Sequence, residues 1–154
     1  MRSKKFFIFS NWIAIIFLMA LFFSSCDDSI CPGLYSNLMN VSFYDKQTRA
    51  LKAIKVDTLT AVGTDTIFYA MDSANSFLLP VNMYDDSTVY LFINNGIADT
   101  LVVSYQRNLS MINRKCGYLE KFEKVNAPYS TFPEVISGNN TLTLSNDISI
   151  KIYF

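Results

Sequence analysis

The chain carries three thiols, Cys26, Cys31 and Cys116, and no histidine. Without an imidazole, the commonest general base near neutral pH and the commonest metal ligand are both missing. Cys26 stands directly behind an apolar run from Phe6 to Phe23 and the small pair Ser24-Ser25, and just before Asp27-Asp28. With Arg2, Lys4 and Lys5 ahead of the run, that order is a charged start, an apolar centre, small residues at a cut, and a thiol to carry lipid. Cys31 and Cys116 remain, and outside the cytoplasm two spare thiols in one small domain are most simply a disulfide. A closed loop of about 85 residues is worth on the order of 4 to 5 kcal/mol in the chain-entropy model. A two-thiol metal site is the alternative, but no histidine could complete it.

The acids offer less. Glu120, Glu123 and Glu134 are the only glutamates, and glycoside hydrolysis would need two carboxyl groups on facing elements. Glu120 and Glu123 instead alternate with Leu119 and Phe122 beside Lys121 and Lys124, the pattern of a solvated strand face. No Ser-x-x-Lys opens a helix, and neither a Gly-rich phosphate loop nor calcium-loop spacing of acids occurs. The expectation is therefore a non-enzyme with no catalytic residue, no metal and no cofactor. Arg114, Lys115, Lys121 and Lys124 form a basic cluster near Cys116 that could meet anionic headgroups, although a mixed-charge surface is the simpler account. All nine tyrosines lie beyond residue 25. Tyr35, Tyr118 and Tyr129 fall at strand ends or loops, where they could make a glycan or protein contact patch, core packing being the ordinary role of such residues.

Three readings compete for the leader. A spanning helix needs about 20 apolar residues, and Ser10 and Asn11 interrupt the run; the strongly apolar part, Trp12 to Phe23, has the length of a signal-peptide centre. Plain secretion would leave Cys26 as an odd thiol in an oxidising compartment. The lipoprotein reading accounts for every part, although Phe23 stands where such signals most often have Leu. It divides the chain into a signal peptide, 1–25, a lipidated cysteine with a short tether, 26–36, and a folded domain, 37–154. Two or more acyl chains hold almost permanently, at roughly 0.8 kcal/mol per buried methylene. Four residues separate Cys26 from Cys31, so the stapled body would begin at most about 17 Å from the lipid-bearing residue. The expected location is the cell envelope, lipid-anchored at the outer membrane on its periplasmic or outer face.

Removing residues 1–25 of the 154 leaves 129, a length for one domain with its own core. Three of the thirteen basic residues lie in the leader, leaving ten against thirteen acids. A mildly acidic body lacks the cationic face that phosphate neutralisation requires, so nucleic acid is not an expected partner.

Beyond Cys31 the apolar period is two. Met39, Val41 and Phe43 alternate with polar residues and Tyr44. Val89, Leu91 and Ile93 oppose Tyr90 and Phe92, and Leu101, Val103 and Tyr105 repeat the pattern, as do Ile148, Ile150, Ile152 and Phe154. Ile67, Tyr69 and Met71, then Phe77, Leu79 and Val81, suggest shorter strands. Asn95-Gly96 marks a hairpin, Gly63–Asp65 and Gly138–Asn140 mark further turns, and Ala127–Pro133, with two prolines, reads as a loop. The expected fold is all-β: about seven to nine antiparallel strands in a single β-sandwich of immunoglobulin-like or related topology, after an N-terminal signal helix. A small barrel is the alternative.

These residues resemble an uncharacterised family of Bacteroidota lipoproteins, domain of unknown function 6452. The resemblance rests on Cys26 with Cys31 shortly after it, Val41-Ser42-Phe43-Tyr44-Asp45, Leu79-Pro80, Asp99-Thr100-Leu101 with Ser104-Tyr105 and Arg107, Cys116-Gly117, and Ile150-Lys151-Ile152-Tyr153. It implies the anchor, the two-cysteine pairing and a β fold, and brings no activity. Two patterns resemble signals of the same phylum. Asp27-Asp28 after the lipid cysteine resembles a surface-export signal, a solvated tether being the other reading. Asp followed by Ser or Thr and a small or aliphatic residue resembles an O-glycosylation sequon, at Ser29, Thr58, Thr66, Ser73, Ser87 and Thr100. Ser29 and Ser73 are the best placed, being expected outside strands. The resulting expectation is a non-catalytic envelope lipoprotein that binds or supports an envelope protein, with a surface carbohydrate-binding accessory as the alternative.

Overall fold

The computed structural model describes residues 37–114, 116–138, 141–142 and 147–154, with the side chains at 112 and 113 excepted. All of them belong to the compact unit Pro32–Phe154. The leader helix and the tether lie outside the described residues. Nine strands and no helix are found among those described: β1 Leu38–Tyr44, β2 Ile54–Ala61, β3 Ile67–Ala74, β4 Ser76–Pro80, β5 Ser87–Asn94, β6 Ile97–Asn113, β7 Gly117–Ser130, β8 Glu134–Ser137 and β9 Ile148–Tyr153. They form two sheets, one ordered β4-β1-β9-β8 and the other β3-β2-β5-β6-β7.

Alternation dictates which side of each strand is covered. In β1 Met39, Val41 and Phe43 are fully buried. Val41 stands beside Phe77 of β4 and Ile150 of β9, and Phe43 beside Ile152. These cross-strand rows put apolar side chains within reach of one another on a single face. The second sheet answers with Leu59, Tyr90, Phe92, Leu101, Val103 and Phe122, and one apolar cluster draws on strands of both sheets. Phe43 is its hub, meeting Phe77, Phe92, Phe132 and Phe154 edge-on at 5.6 to 6.1 Å between centroids, the geometry that aromatic quadrupoles favour.

Asn95-Gly96 closes the β5–β6 hairpin with Asn94 opposite Ile97. Both turn residues have positive φ, 50° and 76°, as a two-residue turn matched to strand twist requires. Three differences from the sequence expectation stand out. First, the strands are not all antiparallel, since β1 and β9 run parallel. Their separation in sequence leaves the chain free to return in either direction, whereas a tight hairpin permits only one. Second, β1 and β2 sit in different sheets, so the order is not the immunoglobulin one, in which the first two strands pair.

Third, Ala127–Pro133 is not a loop throughout, because β7 continues to Ser130. Ser104 opposes Asn126 and Val102 opposes Tyr129, so β7 spends one residue more than β6 there. Pro128 sits in this bulge on an edge strand, where its missing N–H breaks no ladder. A second bulge sets Gln106 opposite Glu123 and Ser104 opposite Asn126. In it Lys124 takes φ 53°, and the re-aimed chain buries both Phe122 and Val125, three positions apart.

Candidate binding surfaces

The loop between β4 and β5, residues 81–86, is tied down more densely than a surface loop requires. The Asn82 N–H donates to Thr88 Oγ1 at 2.9 Å, Thr88 and Tyr105 hydroxyls meet at 2.7 Å, and the Tyr105 hydroxyl donates to the Asn82 carbonyl at 2.9 Å. Since Tyr105 spends its proton on that carbonyl, Thr88 must donate to Tyr105, and the three groups close a ring in which each donor has one acceptor. Burial, opposed in part by the Thr88 bond, pushes the Tyr105 hydroxyl above its ordinary range. Burial does the same to Tyr90, whose hydroxyl donates to the Pro80 carbonyl at 2.9 Å. Arg107 completes the tie, donating to the Met83 carbonyl at 2.7 Å and to Asp86 at 2.8 Å.

Between this loop and the β2–β3 turn lies a groove of about 450 Å³, lined chiefly by Ala61, Val62, Phe68, Val81, Met83 and Tyr84. Tyr84 is 92 % exposed at its rim. The lining can offer apolar and aromatic contact and backbone polar groups, and it holds no carboxylate or ammonium. A second hollow of about 310 Å³ lies among Ile54, Lys55, Phe92, Asn94, Asp99 and Phe132. There the Asn94 Oδ1 is buried without a hydrogen-bond partner.

A third cluster follows β1. Asp45 Oδ1 accepts the N–H groups of Gln47 and Thr48 at 3.0 and 2.9 Å, and Oδ2 lies 3.1 Å from Lys52 Nζ. The Thr48 N–H first, then the Lys52 ammonium, hold this carboxyl at a pKa of about 2. Arg49, at φ 58°, stacks 4.2 Å from the centre of the Tyr153 ring and reaches Glu134 at 2.7 Å. Tyr153 in turn stacks on Tyr44 at 5.2 Å.

The structure distributes the residues that the sequence singled out. Cys26, Ser29, Cys31 and Tyr35 lie outside the described residues, whereas Cys116 occupies the turn joining β6 to β7. Ser73 does not lie outside strands: it is an exposed residue of β3, opposite Lys55. The Asp that precedes it extends the strand instead of ending it, and of the described sequon positions Thr66 is the exposed one between strands. Each glutamate lies near a cation: Glu120 is 4.0 Å from Arg107, Glu123 pairs with Lys121, and Glu134 with Arg49. The Lys121 contact holds the Glu123 carboxyl below its usual range. These carboxylates each lie beside a cation and do not converge as an acid and a base. Among the described residues no group of three or more Cys, Asp or Glu could hold a metal ion.

Residues 56–154 match the model of a family of unknown function, DUF6452. The chain belongs to that family. The match runs from β2 to β9, so it takes in the hydroxyl ring, Arg107 and Cys116, and leaves β1 ahead of it. No curated protein and no solved structure matches the chain. Several of the residues quoted for the resemblance have structural roles in this DUF6452 domain. Leu79 is fully buried, the Pro80 carbonyl holds Tyr90, Tyr105 and Arg107 fasten the β4–β5 loop, and Gly117 takes φ 71° beside the turn. Sequence reading missed the ring, Met83, Tyr84 and Asn94. The signal that could have flagged the loop is its run Asn82-Met83-Tyr84-Asp85-Asp86, polar and aromatic between two strand patterns.

Proposed function

We propose that this DUF6452 protein is a Bacteroidota envelope lipoprotein that binds or braces a neighbouring envelope component and performs no catalysis. Lipid on Cys26 holds it to the outer membrane, a Cys31–Cys116 bridge staples the body close to that anchor, and the two sheets pack face to face as one β-sandwich. The observation that carries the reading is the order of the first 28 residues, charge, apolar run, small pair, cysteine and acids. The shared aromatic core supports the sandwich, since Phe43 of one sheet meets Phe92 of the other at 5.6 Å. The exposed tyrosines weigh against the carbohydrate-binding alternative. That reading requires them on one concave face, but Tyr118 and Tyr129 stand near opposite ends of β7, roughly 30 Å apart at strand rise.

The test is intact mass spectrometry of the membrane-extracted protein with cell fractionation of a Cys26→Ala variant. A diacylated or triacylated terminus at Cys26, and release of the variant from membranes, are expected. A bare thiol at that terminus, an unclipped leader, or a variant that stays tightly membrane-bound refutes the anchor. Crosslinking from intact cells should then capture an envelope protein; uniform capture of glycan in place of protein would turn the reading to the carbohydrate alternative.

A further inference from the structure

The β6–β7 ribbon outruns the core that it helps to build. Tyr105 and Phe122 meet edge-on at 5.5 Å as its last fully covered pair. Beyond them Arg107 opposes Phe122, Leu109 opposes Glu120, and Met111 opposes Tyr118. Cross-strand partners share a side and residues two apart share a side, so Leu109, Met111 and Tyr118 continue the face that Phe122 turns to the core, with Arg107 and Glu120 on the same side, 4.0 Å from each other. They are nevertheless 69, 55 and 67 % exposed. An apolar strip on the inner side of a projecting ribbon loses its burial unless something covers it.

Charge indicates what covers it. Residues 107–124 hold five basic side chains and two acidic, while the rest of the chain after residue 25 holds five basic and eleven acidic. Basic residues are therefore concentrated around this strip; Arg107 and Lys121 are paired with acids, while Arg114 is exposed at the ribbon's tip and Lys124 at its base. Aliphatic and aromatic side chains flanked by exposed cations suit the boundary of an anionic bilayer. The apolar groups enter the acyl edge, Tyr118 sits at headgroup level, and each basic group gains from the negative surface.

We propose that the end of the β6–β7 ribbon, with Leu109, Met111, Tyr118, Arg114 and Lys124, is a membrane-docking surface that inserts into an anionic lipid layer. The proposal rests on the lipid-anchor reading for its orientation. Cys116 lies in the ribbon's turn, and the bridge to Cys31 proposed above would put the acylated residue five positions from that turn and so turn this end of the domain to the bilayer. The anchor supplies attachment, and the ribbon fixes the angle at which the body is presented.

The only tryptophan of the chain is Trp12, in the leader, so the processed protein has none and a new one is a unique reporter. Met111→Trp, Tyr118→Trp and, as a control on the exposed end of β3, Ile67→Trp would be purified in lipidated form and reconstituted into phosphatidylglycerol-containing vesicles with brominated acyl chains. Flotation reports the anchor, and emission reports the ribbon. All three variants should float, with the tryptophans at 111 and 118 blue-shifted and mostly quenched and that at 67 unaffected. Adding Arg114→Glu and Lys124→Glu to Met111→Trp should leave flotation intact and abolish most of the quenching. Variants that float with unquenched ribbon tryptophans overturn the proposal alone. A blue shift that appears without lipid overturns it in favour of cover by a second copy or by residues ahead of 37. Failure to float overturns the anchor reading, and the proposal with it.

Discussion

The ring formed by Asn82, Thr88 and Tyr105 can be dissected by a double-mutant cycle. Tyr105→Phe removes one hydroxyl and with it two of the three bonds: Thr88 loses its acceptor and the Asn82 carbonyl loses its donor. Thr88 is buried, whereas Asn82 is exposed and its carbonyl can turn to water. A buried polar group left unpaired costs about 1–3 kcal/mol, and a replaced bond about 1, so Tyr105→Phe should cost roughly 2 kcal/mol. Thr88→Val keeps the shape and also removes two bonds, leaving the Asn82 N–H to water and the Tyr105 oxygen without a donor, for a similar loss of about 2 kcal/mol. The double variant leaves neither hydroxyl to be orphaned, so its cost should fall short of the sum by about 1 kcal/mol. Urea unfolding, followed by far-UV circular dichroism, gives all three values. Strict additivity, within about 0.3 kcal/mol, would show that the three groups do not act as a unit and would refute the closed ring. Two tyrosines, Tyr105 of the ring and Tyr90 on the Pro80 carbonyl, set an alkaline limit. Because burial raises Tyr105 and Tyr90 above the ordinary tyrosine value of 10.0, their contribution is complete below that value and is lost as pH climbs through the folded-state values.

At the acid end, the Asp45 carboxyl lies below the ordinary aspartate value of 3.8, at about 2, because of the Thr48 N–H and the Lys52 ammonium. Its contribution should be intact above pH 3.8 and lost as pH falls toward 2. An Asp45→Asn variant should show a flatter stability–pH curve across that window, and an unchanged curve would remove Asp45 from the account. Gly138 approaches β9 so closely that an added Cβ would lie 2.6 Å from the Ile148 carbonyl oxygen, a backbone atom that cannot swing away. Gly138→Ala should cost about 1–3 kcal/mol in the same urea assay, and a loss below about 0.5 kcal/mol would mean that β8 and β9 separate readily.

Much of the sheet was legible because period-two alternation survives wherever a strand is regular, as in β1, β5 and β9. Asn95-Gly96 was legible because both residues tolerate positive φ. The length of β7 was not, since each bulge resets the alternation, and Phe122 and Val125 share a buried side despite odd spacing. In β5 both faces are apolar, and pattern alone could not say that Tyr90 and Phe92, not Val89 and Ile93, face inward. The pairing of β1 with β9 has no local signature at all. Of the functional surfaces, the basic cluster near Cys116 was visible as composition. Its meaning came only when register set Met111 beside Tyr118 past the end of the core. The hydroxyl ring joins positions 82, 88 and 105, which no local window contains.

Placing β9 between β1 and β8 has a consequence for biogenesis. Strand β1 emerges early in synthesis and can find β4 soon after, but its other edge stays bare until residue 153 has been made and delivered. Contacts so distant in sequence form slowly, and a bare apolar edge invites pairing with a neighbouring chain. The first half of the chain, which ends within β4, therefore cannot complete either sheet by itself, and β1 keeps an open edge until the last strand arrives.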